Sequence, residues 1–261
     1  MKYFVTSDVH SFYSILISSL EGAGFEIDNP SHILVIAGDL FDRGEESAEC
    51  LQFVKTLAAQ NRFIYIRGNH EDLLFDCVRD IERKIYIGYH HISNGTISTI
   101  SHLTGISEFD LIYETTHYSS KIREKLQEVL QFIEETSVDY YELGDYIIVH
   151  GWLPTISDKV DPNWKTGDWD EARWKNGMEE WSKNYTLPEK TVVCGHWHTS
   201  WGWSHLRRQY KEWNPKSKTC FKPFIDNGIV ALDACVAYTS KLNVVVIDQD
   251  EKGGVKLEQT S

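Results

Sequence analysis

Apolar positions along residues 1–70 alternate between two rhythms. Tyr3–Thr6 is a short apolar run that predicts a strand, and Phe12, Ile15, Leu16 and Leu20 then recur at helical spacing before Gly22 and Gly24 end the helix. His32–Ala37 is continuously apolar, as a strand covered on both faces requires. A second helix from about Glu45 places Ala48, Leu51, Val54, Leu57 and Ala58 on one face, and Arg62–Ile66 reads as a third strand. This alternation implies right-handed crossovers and a mainly parallel sheet in an α/β domain. Further on, Glu71–Lys84 and Lys121–Glu135 read as amphipathic helices, the second with Ile122, Leu126, Val129, Leu130 and Ile133 on one stripe. Asp145–Val149, Thr191–Cys194, Ile229–Leu232 and Leu242–Ile247 read as later strands, with a turn at Asn227-Gly228.

The expected organisation is a single domain over residues 1–250. It carries a helical insert at 72–145 and a Trp-rich loop or cap at 152–213, and a polar tail at 251–261 is expected to fray. The chain has 261 residues, enough to bury a core without staples. Its net charge is −13, which argues against general binding to nucleic acid or anionic membranes; no basic track is evident. The charge leaves room for one phosphate at a local site where metal ions supply positive charge. The five cysteines have no metal-ligand spacing, which suggests free thiols in a reducing compartment, the cytoplasm. No segment approaches the length of an apolar span, and the apolar run at Tyr3–Val5 is too short for a signal peptide.

Five strands run into polar clusters. Tyr3–Thr6 leads to Asp8-Val9-His10, His32–Ala37 to Gly38-Asp39-Leu40-Phe41-Asp42-Arg43-Gly44, and Arg62–Ile66 to Gly68-Asn69-His70-Glu71. Asp145–Val149 leads to His150-Gly151, and Thr191–Cys194 to Gly195-His196-Trp197-His198. Each cluster alone reads as a turn or a cap. Together, at the C-terminal ends of strands, they offer the mixed oxygen and nitrogen donors that suit a hard-to-borderline dication.

With these motifs in this order, the chain resembles the calcineurin-like metallophosphoesterase superfamily. Within it, the GDLFDRG and GNHE segments are similar to the phosphoprotein phosphatase branch, which includes bacterial serine/threonine phosphatases and diadenosine tetraphosphatases. Asn94-Gly95-Thr96 with Thr99, and Ile229–Tyr238, resemble further segments of bacterial members. The resemblance implies a four-layer α/β/β/α sandwich around two divalent metal ions, manganese, iron or zinc. One metal would take Asp8, His10 and Asp39, the other Asp39, Asn69, His150 and His196, with Asp39 as the bridge. A hydroxide shared by the ions would attack phosphorus in line. His70 would be the general acid, held protonated by Asp42, while Arg43 and a second arginine, Arg173, would grip the phosphate. Departures from the pattern are His150-Gly151-Trp152, where many members have a second glycine, and His198. Because His198 lies two residues from His196, it is expected on the same side of a strand as a further ligand of the first metal.

The implied partner is a phosphate-ester substrate, on a phosphorylated Ser or Thr of a protein or on a nucleotide. The resulting expectation is a dinuclear-metal phosphatase acting on phosphate monoesters. Hydrolysis of a dinucleoside polyphosphate is an alternative, and a non-catalytic metal-binding scaffold a third reading. Intact His70, Asp42 and Arg43 speak against the scaffold. The Trp-rich stretch could stack a base, although packing is the ordinary use of tryptophan. His32, His90, His91, His102, His117 and His205 lie outside the motifs and read as structural.

Overall fold

The computed structural model of the chain describes residues 1–157, 159–214, 216–250 and 253–258; side chains at 115–119, His117 among them, lie outside that description. Strands β1 (Lys2–Thr6), β2 (His32–Ala37) and β3 (Phe63–Ile66) form where the apolar runs predict them and pair in parallel, Tyr3 opposite Ile33 and Leu34 opposite Phe63. A short β4 (Ser137–Val138) continues this parallel edge. β5 (Tyr141–Leu143) and β6 (Tyr146–Ile148) form a hairpin, and β7 (Thr155–Ile156) and β8 (Lys159–Val160) form a separate two-strand ladder. β9 (Thr191–Cys194) lies parallel to β6. β10 (Phe224–Asp226) turns at Asn227-Gly228, with Gly228 at φ +88°, into β11 (Ile229–Ala231), which is parallel to β9. β12 (Val245–Gln249) returns antiparallel to β1, and β13 (Val255–Glu258) pairs antiparallel with β12. One sheet therefore has the order β13-β12-β1-β2-β3-β4 and the other β10-β11-β9-β6-β5.

The layering follows from alternation along the strands. Tyr3, Val5, Ile33, Val35 and Ile66 of the first sheet meet Ile148, Val193 and Val230 of the second in a core between the sheets. The alternate residues Phe4, Leu34 and Ile36 face helices instead. These helices are α1 (Tyr13–Gly22), α2 (Ser47–Ala59), α3 (Asn69–Glu82), α4 (Tyr89–Ser93), α5 (Thr96–Thr104), α6 (Glu108–Tyr113) and α7 (Thr115–Thr136). The stripe on α7 is buried as its periodicity predicts, through Ile122, Leu126, Val129 and Ile133. On the far face of the second sheet, Trp152, Leu153, Trp164, Trp169 and Met178 cover Ile147, Val149, Val192 and Ala231. The short helices α8 (Trp169–Ala172) and α9 (Gly177–Ser182) belong to this fourth layer. The result is the α/β/β/α sandwich. A last short helix, α10 (Val236–Thr239), follows β11.

Three expectations of organisation change. The 72–145 stretch is not purely helical, because it ends in β4 and β5, one in each sheet. The Trp-rich region is for the most part neither a loop nor a cap but a structural layer; its irregular apolar spacing reflects short helices and turns laid across a sheet. The tail does not simply fray: Val255–Glu258 is an edge strand, paired through alternate backbone positions that a polar sequence does not prevent. Residues 251, 252 and 259–261 of that tail lie outside the described residues. The cysteines are unpaired thiols, all buried except the half-buried Cys235. Among the described residues, no helix is long and apolar enough to cross a membrane.

Trp152 is fully buried and its indole N–H donates to the Tyr185 carbonyl at 2.9 Å. Trp152→Ala should destabilise the fold by about 3–5 kcal/mol. Urea unfolding measures this as a lower midpoint at unchanged slope. A loss under about 1 kcal/mol would show that the fourth layer is loosely packed.

Candidate metal centre

Parallel strands β1, β2, β3, β6 and β9 all deliver their polar clusters to one rim, shared by the two sheets. The loops that follow them bend abruptly. Asp8, His10, Asp39, Asp42, Arg43 and His196 all have positive φ, between 50° and 75°, in the left-handed region that side chains with a Cβ seldom enter. These turns aim short side chains back over the strand ends.

Asp39 lies at the middle, almost fully buried. Its Oδ2 is 3.8 Å from both His10 Nε2 and His70 Nε2, and its Oδ1 is 3.3 Å from His150 Nε2. Two triads of close donor atoms result, His10–Asp39–His70 and Asp39–His150–His196, with Asp39 in both. Asp8 joins by accepting the His196 backbone N–H at 3.0 Å and lying 4.0 Å from His10 Nε2. Asn69 joins through Oδ1, 2.8 Å from His150 Nε2.

The outer nitrogen of each ring is anchored. His10 Nδ1 donates to the Phe41 carbonyl at 3.0 Å and His150 Nδ1 to the Ala37 carbonyl at 2.8 Å, which turns both Nε2 atoms inward. His196 is reversed, since its Nε2 lies 3.1 Å from the Trp174 carbonyl and leaves Nδ1 as the free donor atom. Burial, with His150 beside it, pulls the His196 ring down to about 3, which favours its neutral form.

Burial pushes the Asp8 carboxyl well above the usual carboxylate range, and the nearby Asp233 and Asp39 add to this. Burial likewise raises Asp233. His150 moves the other way: burial opposes its charge, but the Asp39 carboxylate outweighs burial and raises it to about 10. A buried set of carboxylates gathered around aimed imidazoles is the environment that a dication stabilises. The residues present therefore fit a dinuclear centre of mixed oxygen and nitrogen donors.

A model of the family described as calcineurin-like phosphoesterase matches residues 1–200. The chain belongs to that family. Among curated relatives of this chain, a bis(5'-nucleosyl)-tetraphosphatase PrpE [asymmetrical] of Bacillus velezensis is 33% identical over 94 residues, 34% of this chain and 38% of that protein. The PrpE of Anoxybacillus flavithermus is 23% identical over 211 residues, 75% of this chain and 78% of the relative. Serine/threonine-protein phosphatase 1 of Salmonella typhimurium is 35% identical over 72 residues, 28% of this chain and 31% of that protein. In its match to the Bacillus velezensis relative, the chain thus spans under two fifths of that protein's length. A solved serine/threonine phosphatase from Saccharomyces cerevisiae shares the fold at TM-score 0.52 and 15% identity, over 99% of this chain and 79% of the other.

Around the candidate centre, His70 uses both ring nitrogens. Nδ1 is 2.7 Å from Asp42 Oδ2, and Nε2 is 3.3 Å from Arg43 Nη2. Burial disfavours its charged form, yet Asp39 and Asp42 together raise it above the ordinary histidine value. Arg43 is exposed at the rim.

Two candidates lie elsewhere. His198 belongs to neither donor triad. Its Nδ1 is 2.8 Å from Ser200 Oγ, its Nε2 is 3.3 Å from Glu212, and its ring packs on Trp213 at 4.0 Å. The strand ends at Cys194 and His196 is left-handed at φ 64°, so the two-residue spacing no longer selects one face. Arg173 is not a free phosphate clamp either. Its side chain is buried, and its guanidinium is held by Asp72 at 2.9 Å, Asp170 at 2.7 Å and Asp139. Burial opposes its charge, and these three carboxylates raise its basicity.

The sequence reading gave no role to Glu71, Thr96, Thr99 or Asp233. Buried Glu71 accepts the backbone N–H groups of Asp39 at 3.0 Å, Leu40 at 2.9 Å and Gly68 at 2.8 Å, which ties two ligand loops together. Thr96 and Thr99 donate to the two oxygens of Asp42 at 2.9 and 2.8 Å. Glu71 stood in the GNHE segment and the threonines in the Asn-Gly-Thr segment, but their partners are distant in sequence. Gly68 has no room for a side chain, because a Cβ there would meet Asp39 Oδ1 at 2.2 Å. Glu71→Gln keeps the shape but replaces one acceptor with a donor, leaving a buried N–H unpaired at about 1–3 kcal/mol. Metal analysis of the purified variant should show reduced occupancy together with a lower melting temperature. Full occupancy would show that Glu71 does not set the ligand loops.

Proposed function

We propose that the chain hydrolyses phosphate esters at a two-metal centre held by Asp8, His10, Asp39, Asn69, His150 and His196. The carrying observation is that Asp39 turns Oδ2 toward His10 and Oδ1 toward His150, so its two oxygens face two different groups of donors, as those of a bridging carboxylate would. When bound, a pair of divalent ions lowers the pKa of water and neutralises phosphate charge. Asp39 orients the ligand set, and the neutral amide of Asn69 adds an oxygen donor without further negative charge.

Arg43 binds phosphate oxygens from the exposed side of the rim, where it already reaches His70. His70 donates a proton from Nε2 to the departing oxygen. Asp42 holds the other nitrogen at 2.7 Å and is itself fixed by Thr96 and Thr99, so the ring stays oriented as the proton leaves. Arg173 takes no part in binding phosphate, because its guanidinium is already held by Asp72, Asp139 and Asp170.

For the substrate, the first reading is a phosphate monoester such as phosphorylated Ser or Thr. The second is a dinucleoside polyphosphate. It is favoured by two half-exposed indoles, Trp174 and Trp197, whose rings lie 5.8 and 6.0 Å from His196 and offer stacking surface at the mouth of the centre. The bis(5'-nucleosyl)-tetraphosphatase relative aligned over 75% of this chain supports the same reading. Manganese, iron and zinc all suit the donors.

His70→Asn should retain the metals while slowing turnover by about 10²–10⁴ on esters with poor leaving groups and far less on good ones. Equal rates on both would remove His70 as the acid. Asp39→Asn should lose both ions together, and a variant that still holds two by elemental analysis would refute the bridge.

A further inference from the structure

The stretch after the last candidate ligand is unlike the rest of this acidic chain. Arg207, Arg208, Lys211, Lys216, Lys218 and Lys222 occur there against the single Glu212. Glu212 is occupied by His198 at 3.3 Å and by His205 at 2.7 Å. Folding then adds a basic residue from a distant segment. A cleft of ≈ 270 Å³ is lined by Lys218, Lys222 and Lys241, together with Asn214, Tyr238 and Asn243. No carboxylate lines it, and no ion pair is formed by the three ammonium groups among the described residues. In a chain of net charge −13, an unneutralised cationic cleft concentrates anions locally.

The cleft connects to the metal centre by ring contacts. His196 packs on Trp197 at 6.0 Å, Trp197 on His198 at 6.3 Å, His198 on Trp213 at 4.0 Å, and Trp213 on Tyr238 at 5.6 Å. Trp213 and Tyr238 are each nearly half exposed. Tyr238 also follows closely on Asp233, which lies in the electrostatic field of Asp8, Asp39 and Arg43.

We propose that this cleft is a second anion site that takes the phosphate chain of a nucleotide, with Trp213 and Tyr238 offering a face to its base. The volume suits a short phosphate chain and is too small for a whole nucleotide, so the ring must lie outside on the exposed aromatics. Three lysines match several phosphate oxygens better than a single carboxylate, and aromatic faces beside them distinguish a nucleotide from an acidic peptide. The role of the cleft in substrate selection rests on the phosphate-ester reading of the metal centre; anion binding by itself does not.

The test uses the full-length, metal-loaded protein and the triple variant Lys218→Ala/Lys222→Ala/Lys241→Ala, with Lys218→Glu as a second variant. All three positions are exposed, so the fold should persist. Calorimetric titration with adenylyl imidodiphosphate should find a second equivalent bound by the native protein and missing in the variants, weakened by salt. The KM for diadenosine tetraphosphate should rise about tenfold in the triple variant, as expected for losing charge-assisted contacts, while kcat/KM for phosphoserine stays unchanged. Tyr238→Ala should weaken adenylyl imidodiphosphate but not inorganic tripolyphosphate. Equal stoichiometry and KM in native and triple variant overturn the proposal, as does lysine-dependent binding of a glutamate-rich peptide at equal strength. If the native protein hydrolyses neither ester, the reading of the metal centre fails, and the second binding equivalent alone decides the cleft.

Discussion

The position of one buried carboxylate governs this molecule. Asp39 carries negative charge at the meeting point of two sheets, close to three imidazoles, and is held from every side. Glu71 fixes its backbone N–H, the His70 backbone N–H donates to its Oδ1 at 3.0 Å, and the absence of a side chain at Gly68 leaves it space. The imidazoles of His150 and His70 lower its pKa well below the usual range although burial opposes this. Removing a carboxylate from water is costly unless its charge is matched. The surrounding groups make sense as a device for matching it.

The cost of that device is visible in the backbone. Left-handed turns at non-glycine residues cost of order 1–3 kcal/mol each, and they cluster in the loops that follow β1, β2 and β9. Tight side-chain anchoring holds them. The hydrogen bonds from His10 to Phe41 and from His150 to Ala37 are made to carbonyls at or just beyond strand ends, so the strands themselves orient the rings.

Much of this was legible from one dimension. Continuous apolar runs located β1, β2 and β3, and the stripe on α7 was correctly read, because burial on two faces or on one leaves an unambiguous period. Six of the seven expected ligands, Asp8 through His196, do gather at one rim, since each directly follows a strand that points there. His198 failed because periodicity holds only while the strand continues, and it ends at Cys194. Arg173 failed because its three acidic partners come from separate segments, at 72, 139 and 170. Glu71 and the threonines were present in recognisable motifs, yet a carboxylate that accepts from the distant Asp39 and Leu40 backbone, or a hydroxyl that donates to the distant Asp42, leaves no local trace. The Trp-rich stretch misled in the same way: irregular spacing looked like a loop, whereas large rings fill a layer without needing a period.

The candidate ligands are divided between the two sheets, with Asp8, His10, Asp39 and Asn69 on one and His150 and His196 on the other. The distance between the two groups is therefore fixed by the residues sandwiched beneath them, such as Val35 and Val193, which never approach the rim chemistry. Side-chain volume buried at such positions therefore bears on the spacing of the rim groups without touching them, because a close-packed interior passes a change of volume on to the elements it separates.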